Sequence, residues 1–119
     1  MSKASERATA AVFFALGDAT RLSVLRKLVA AGALSATGLA AGAQVSRQAI
    51  AKHLQVLEQA GLVTHARRGR EVIYALETRR LDDARVFLDR MSAAWDRRIE
   101  RLRALVELSA DRLGEREPR

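Results

Sequence analysis

Large apolar residues in the first half of the chain recur at steps of three and four, the spacing of amphipathic helices. Glycines and capping side chains divide this pattern into four predicted helices. The first ends at Gly17, and the second runs from its cap Asp18 to Gly32. The third follows its cap Ser35 and runs from Ala36 to about Gly42, and the fourth runs from its cap Ser46 to about Ala60. Only a short turn at 43–45 separates the last two.

The pattern changes after Gly61. The segment 62–77 has β-favouring residues on either side of Arg-Arg-Gly-Arg, which predicts a β-hairpin with Gly69 at its tip. Helical steps return from Leu81 to Leu113, a span of about 50 Å at the rise of an α-helix. A domain of 119 residues is too small to bury a helix of that length, so we expect it to need a partner surface.

The charge of the chain is positive and unevenly distributed. Lys and Arg number 21 against 14 Asp and Glu, for a formal net charge of +7. All of the excess lies before residue 81, because the last third carries equal numbers of basic and acidic side chains. A basic first two-thirds favours a polyanionic partner and leaves nucleic acid and an acidic membrane surface both open.

The fourth predicted helix has one apolar and one polar face. Ile50, Leu54 and Leu57 share a stripe, and the opposite side carries amides and cations with no carboxylate. Such side chains suit duplex DNA, because Gln pairs with adenine and Arg with guanine in the major groove. We expect Arg47 and Gln48 to read bases and Lys52 and Gln55 to contact phosphates; the alternative is a solvated helix face.

The hairpin tip concentrates positive charge. Arg67, Arg68 and Arg70 surround Gly69, which predicts contact with a phosphate chain or a minor groove. Arginine-rich turns are common on basic proteins, so a solvated turn is the alternative. The position of the tip directly after the polar helix favours a DNA-binding wing.

Several function classes lack the residues that they need. The chain has no Cys, no phosphate-binding glycine loop and no Ser-His-Asp arrangement, so we expect no enzyme activity, metal or cofactor. His53 and His65 are the only histidines, and we expect both to be structural. The apolar stretch 8–16 runs into a capped helix and no apolar run reaches the roughly 20 residues of a membrane span, which favours a cytoplasmic location.

The segments LGDATRLSVLRKL and VSRQAIAKHLQVLEQAGLVTHARRGREVIYAL resemble the signature of the ArsR family over residues 13–77. This resemblance implies a dimeric repressor that binds an operator and is released by a signal. It also implies that Ser46, Arg47, Gln48 and Lys52 line the DNA face, with 67–70 as the wing. Family members that sense metals carry Cys pairs in the third helix or Asp and His sets in the last one, and this chain carries neither.

Together these features predict a mainly α fold with a two-stranded β wing, a winged helix-turn-helix in a single domain over 1–119. Its DNA-binding core is expected at 1–80 with the wing at 62–77, a long dimerisation helix at 81–114 and a tail at 115–119.

The predicted dimer uses the first and last helices. Its expected interface residues are Phe13, Phe14, Leu16, Leu88, Met91, Trp95, Ile99, Leu102 and Val106. A two-fold dimer predicts a pseudo-palindromic operator in double-stranded DNA. The alternatives are a nonspecific nucleoid-type or RNA-binding protein and a protein-interaction module, and the sequence leaves the inducing signal open.

Overall fold

The computed structural model describes residues 2–116, with side chains through 114. Of the predicted tail at 115–119, residues 115 and 116 belong to the last helix, and 117–119 lie outside the described residues. Within residues 2–116, five helices and three strands follow one another. They are α1 (Lys3–Leu16), α2 (Ala19–Ala31), β1 (Ala33–Ser35), α3 (Ala36–Ala40), α4 (Arg47–Gln59), β2 (Val63–Arg68), β3 (Glu71–Leu76) and α5 (Arg79–Arg116).

Each of the three helices α2, α3 and α4 begins at the capping residue that the sequence predicts. The Asp18 carboxylate accepts the N–H of Arg21 at 3.0 Å, and the Ser46 hydroxyl accepts the N–H of Ala49 at 3.1 Å. Ser35 caps α3 in the same way. These bonds satisfy N–H groups that the first turn of a helix leaves without a backbone partner, so local sequence sets where each helix begins.

The sheet has one strand more than the sequence predicts. β2 and β3 form the expected antiparallel hairpin, in register from Val63 opposite Leu76 to Arg68 opposite Glu71. The short strand β1 pairs antiparallel with the other edge of β3, so the order is β1-β3-β2. The three residues that follow Gly32, ending at the cap Ser35, are too few to show an alternating pattern, and pairing with β3 alone makes them a strand.

The hydrophobic core fixes the orientation of α4. Its Ile50, Leu54 and Leu57 are buried, as the sequence predicts, in a cluster that includes Val24 and Leu28 of α2. Full burial of a Leu side chain stabilises a fold by about 1.5–3 kcal/mol, so three such residues hold one face of α4 inward. The opposite face is therefore directed away from the core.

The chain divides into two compact units within α5, one ending at Arg85 and the other beginning at Val86. In the first unit, Ala84 of α5 is buried in the core. In the second unit, α5 continues as a single helix with most of its side chains exposed. Over residues 2–116, no single helix has the length and apolarity to cross a membrane; only α1 and α2 taken together, bent by 94°, pass on length and composition.

Candidate nucleic-acid interface

The outward face of α4 carries the amides and cations that the sequence assigns to it. Arg47, Gln48, Lys52 and Gln55 are all exposed, and so is the capping residue Ser46. Ala51, between Gln48 and Lys52 along this face, is exposed too. Side chains in the first turn of a helix lean toward its N-terminus, so Arg47 and Gln48 extend furthest along the helix axis at that end.

The hairpin that follows α4 ends in a tight, cationic turn. Gly69 and Arg70 are the two residues between the paired Arg68 and Glu71, and Gly69 has φ +61°. A glycine with positive φ at the first turn position is typical of a type II′ hairpin, whose twist matches that of its strands. Arg67, Arg68 and Arg70 are exposed at this tip. The turn therefore presents three guanidinium groups on a short backbone.

A contact between side chains joins the hairpin to α4. Glu58 near the end of α4 accepts a hydrogen bond from Nδ1 of His65 in β2, and the His65 ring lies tilted against Tyr74 with centroids 5.6 Å apart. Burial raises the pKa of the Tyr74 phenol, and the nearby Glu58 carboxylate adds to that shift. His65 thus lies where it helps to hold the base of the hairpin against α4.

Arg21 joins three helices, and sequence reasoning assigned it no role. Its Nε donates to the carbonyl of Ala15 at 2.7 Å and its Nη2 to that of Phe14 at 3.1 Å, at the end of α1. Its Nη1 lies 3.2 Å from Nδ1 of His53 on α4. A guanidinium can only donate, so this His53 nitrogen accepts the bond. The buried Arg21 side chain therefore ties the end of α1 and the start of α2 to α4.

Asp18 completes the junction around Arg21. Its carboxylate caps α2 and lies 4.0 Å from Nη1 of Arg21 and 3.8 Å from Nδ1 of His53. The bond from the Arg21 backbone N–H lowers the pKa of Asp18, and the charge of the Arg21 guanidinium lowers it further. The sequence analysis predicts Asp18 as the cap of α2, but no local signal indicates the partners of Arg21 on α1 and α4.

The predicted pairing residues differ in their exposure. On α1, Phe14 is 69% exposed, whereas Phe13 and Leu16 are partly buried against the core of their own unit. On α5, Leu88, Met91, Trp95, Leu102 and Val106 are exposed, with Trp95 at 68%, and Ile99 is half-buried. Leu105 and Leu108, which the sequence analysis did not include, are exposed as well. The second unit thus carries a long apolar surface on a single helix.

The histidines and carboxylates do not assemble into a metal site in the described part of the chain. Over residues 2–116, no group of three or more His, Asp or Glu side chains has the arrangement of a metal-binding cluster. His53 contacts Arg21 and Asp18, and His65 contacts Glu58 and Tyr74.

Comparison with known proteins gives a consistent result. A family model described as a helix-turn-helix domain matches residues 16–66, which include α2, α3, α4 and the start of β2. The chain is 34% identical over 73 residues to the transcriptional repressor SdpR of Bacillus subtilis, a match that covers 61% of this chain and 80% of the relative.

Solved structures resemble a larger part of the chain. An ArsR-like transcriptional regulator from Rhodococcus sp. RHA1 is 39% identical with a TM-score of 0.75, and the match covers 90% of this chain and 97% of that one. The homodimeric winged helix-turn-helix DNA-binding domain of Mb0332 from Mycobacterium bovis, described as a possible ArsR-family regulator, is 26% identical. Its TM-score is 0.61, with 100% of this chain and 95% of that one covered.

Proposed function

This chain belongs to the ArsR family of winged helix-turn-helix transcriptional regulators, and we propose that it represses transcription by binding, as a homodimer, to a pseudo-palindromic operator in double-stranded DNA. In this proposal α4 is the recognition helix and the β2–β3 hairpin is the wing. The proposal assigns DNA contacts to Ser46, Arg47, Gln48, Lys52, Gln55 and 67–70.

The exposed face of α4 is the observation that carries this function. It presents Arg47, Gln48, Lys52 and Gln55 with no carboxylate among them, while the opposite face is locked into the core. Gln48 and Arg47, in the first turn of α4, suit adenine and guanine edges. Lys52 and Gln55 lie further along the helix and suit phosphate oxygens. An acidic side chain on this face would repel the phosphates of the DNA backbone.

The wing supplies charge beside the recognition helix. Arg67, Arg68 and Arg70 are exposed on a turn of two residues, narrow enough to approach a phosphate chain or a minor groove. The contact of His65 with Glu58 supports a fixed relation between the base of the wing and α4. DNA contacted by both elements would then be bound in one register.

The proposed dimer pairs the apolar surface of α5 with that of a second copy. Trp95, Leu102 and Val106 are each more than half exposed in one protomer, and water contact of so long an apolar row is unfavourable. The structurally similar domain of Mb0332 is homodimeric, which supports the same assembly here. On α1, only Phe14 is exposed enough to contribute as predicted. A two-fold dimer would present two recognition helices to half-sites about 10 bp, or a small multiple, apart.

In this proposal the dimer acts in the cytoplasm. It represses transcription because a dimer bound to the operator blocks access to a promoter that overlaps the operator. The match with this chain covers 80% of the length of SdpR, which is a transcriptional repressor. Full-length protein should be incubated with a library of random duplexes, and the bound fraction amplified and sequenced over several rounds. We expect one enriched pseudo-palindrome, protected as a single short footprint when placed in longer DNA.

The same experiment separates this function from the nonspecific alternative. Uniform coating of all duplexes without enrichment would identify a nucleoid-type protein. Preferential retention of an RNA library over the duplex library would identify an RNA-binding protein. Charge reversal at Arg67, Arg68 and Arg70 tests the remaining alternative, a protein-interaction module. If the variant still bound a protein partner and even the wild type had no measurable DNA affinity, the chain would be such a module.

A further inference from the structure

A hydrogen bond links the start of α3 to Arg47, a residue of the proposed DNA face at the start of α4. Nη2 of Arg47 donates to the hydroxyl of Thr37 at 3.3 Å. Both residues are exposed and lie ten positions apart, so the bond crosses the turn of the helix-turn-helix. Arg47 is the proposed guanine reader, whereas Thr37 has no role in the function derived above.

Thr37 is a rigid anchor for a hydrogen bond. It lies in the first turn of α3, which the Ser35 hydroxyl caps by accepting the N–H of Gly38 at 2.9 Å. The β-branched side chain of threonine has few χ1 rotamers available in a helix, so the backbone of α3 largely determines where the hydroxyl lies. Lys27, whose ammonium reaches the carbonyls of Leu39 and Ala41, holds the other end of the same helix.

The bond to Thr37 restricts the conformations that the Arg47 side chain can adopt. A free arginine side chain carries roughly 2 kcal/mol of rotamer entropy, part of which is lost when it binds a base. The bond to Thr37 uses one of the five N–H groups of the guanidinium. Two N–H groups pointing the same way therefore remain for the O6 and N7 acceptors of a guanine.

We propose that Thr37 is a positioning residue that aims Arg47 at its base and so sets the sequence preference of the protein at one base pair. This inference rests on the proposed function. Thr37 itself contacts no base in this scheme; it acts by reducing the number of positions that the Arg47 guanidinium samples before DNA arrives.

The test begins with the sequence that wild-type protein selects from random duplexes. Loss of preference in Arg47→Ala identifies the base pair that Arg47 reads. Affinities for the preferred duplex and for a duplex changed at that pair are then measured by fluorescence anisotropy for Thr37→Val, Thr37→Ser and Thr37→Val combined with Arg47→Ala. Thr64→Val, which removes an exposed hydroxyl from β2, is the matched control, and thermal unfolding checks that every variant is folded.

We expect Thr37→Val to reduce discrimination at that pair by roughly three- to tenfold, the effect of one hydrogen bond, with little change at other pairs. Thr37→Ser should retain most of the discrimination because it keeps the hydroxyl, and Thr64→Val should match the wild type. In the double variant Thr37→Val should have no further effect. A uniform loss of affinity at every pair, or a Thr37→Ser variant equivalent to Thr37→Val, would overturn the inference and leave the proposed function intact. Wild-type protein that selects no sequence would overturn both.

Discussion

The number of cations on the proposed DNA face sets how steeply affinity depends on salt. Apart from Arg47, which is proposed to read a base, the exposed cations of this face are Lys52, Arg67, Arg68 and Arg70, four per protomer and eight in the proposed dimer. Each phosphate neutralised on duplex DNA contributes about −0.9 to the slope of log affinity against log salt concentration. If all eight make such contacts, the slope is about −7, and affinity falls about 10⁴-fold between about 50 and 200 mM salt.

Substitution of Lys52 by alanine should change this slope by a defined amount. The proposed dimer would lose two phosphate contacts, so the slope should become shallower by about 1.8. The affinity advantage of wild type over Lys52→Ala should then shrink about twelvefold between about 50 and 200 mM salt, on the operator and on random DNA alike. Fluorescence anisotropy of a labelled duplex, titrated at four or more salt concentrations, measures both slopes.

Two further variants make the measurement decisive. Lys3→Ala removes an exposed lysine from α1, outside the proposed face, and should leave the slope at its wild-type value. Gln48→Ala should also leave the slope unchanged, because it removes no charge, but should cost about 1–3 kcal/mol of discrimination at one base pair. A Lys52→Ala slope equal to the wild-type slope, or equal losses on operator and random DNA for both α4 variants, would refute the division between phosphate and base contacts.

Three other substitutions test the scaffold that supports this face. Arg21→Met should lower the free energy of unfolding by about 1–3 kcal/mol in urea at fixed protein concentration, because it leaves the buried carbonyl of Ala15 without its Arg21 donor. Exposed Arg26→Met on the same helix is the control, and equal losses would contradict the reasoning. Trp95→Asp should convert the proposed dimer to the 13.1 kDa protomer in sedimentation velocity, whereas Ala93→Asp, on another side of α5, should not. A dimer that survives Trp95→Asp would argue against this pairing surface. Gly61→Ala should lower the free energy of unfolding by about 1–2 kcal/mol, because φ at Gly61 is +78° and the new Cβ would lie 2.6 Å from Cγ of Arg80. Gly114→Ala, in open space on α5, is the control and should be neutral or slightly stabilising. Equal effects of the two variants would count against backbone strain at Gly61.

Most of the local structure could be predicted from the sequence. The Asp18, Ser35 and Ser46 caps, the buried face of α4 and the Gly69 turn all lie where the residue pattern indicates. Each depends on interactions within a few residues, such as a capping bond to the third following N–H or a glycine at positive φ. The polar residues proposed to read DNA could be named for the same reason, since a helix with one buried face exposes the other.

The amino-acid sequence by itself determined the helices, their caps, the cationic hairpin and the apolar row along α5, because these follow from periodicity and backbone preference over short distances. Tertiary structure alone decided that β1 joins the sheet, that Phe14 is exposed while Phe13 and Leu16 pack inward, and that Arg21 meets His53 across 32 positions. The bond from Arg47 to Thr37 belongs to the same class. A contact between elements depends on how closely and at what angle they approach. Packing of the whole core sets that geometry, and no single segment of the sequence carries enough information to predict it.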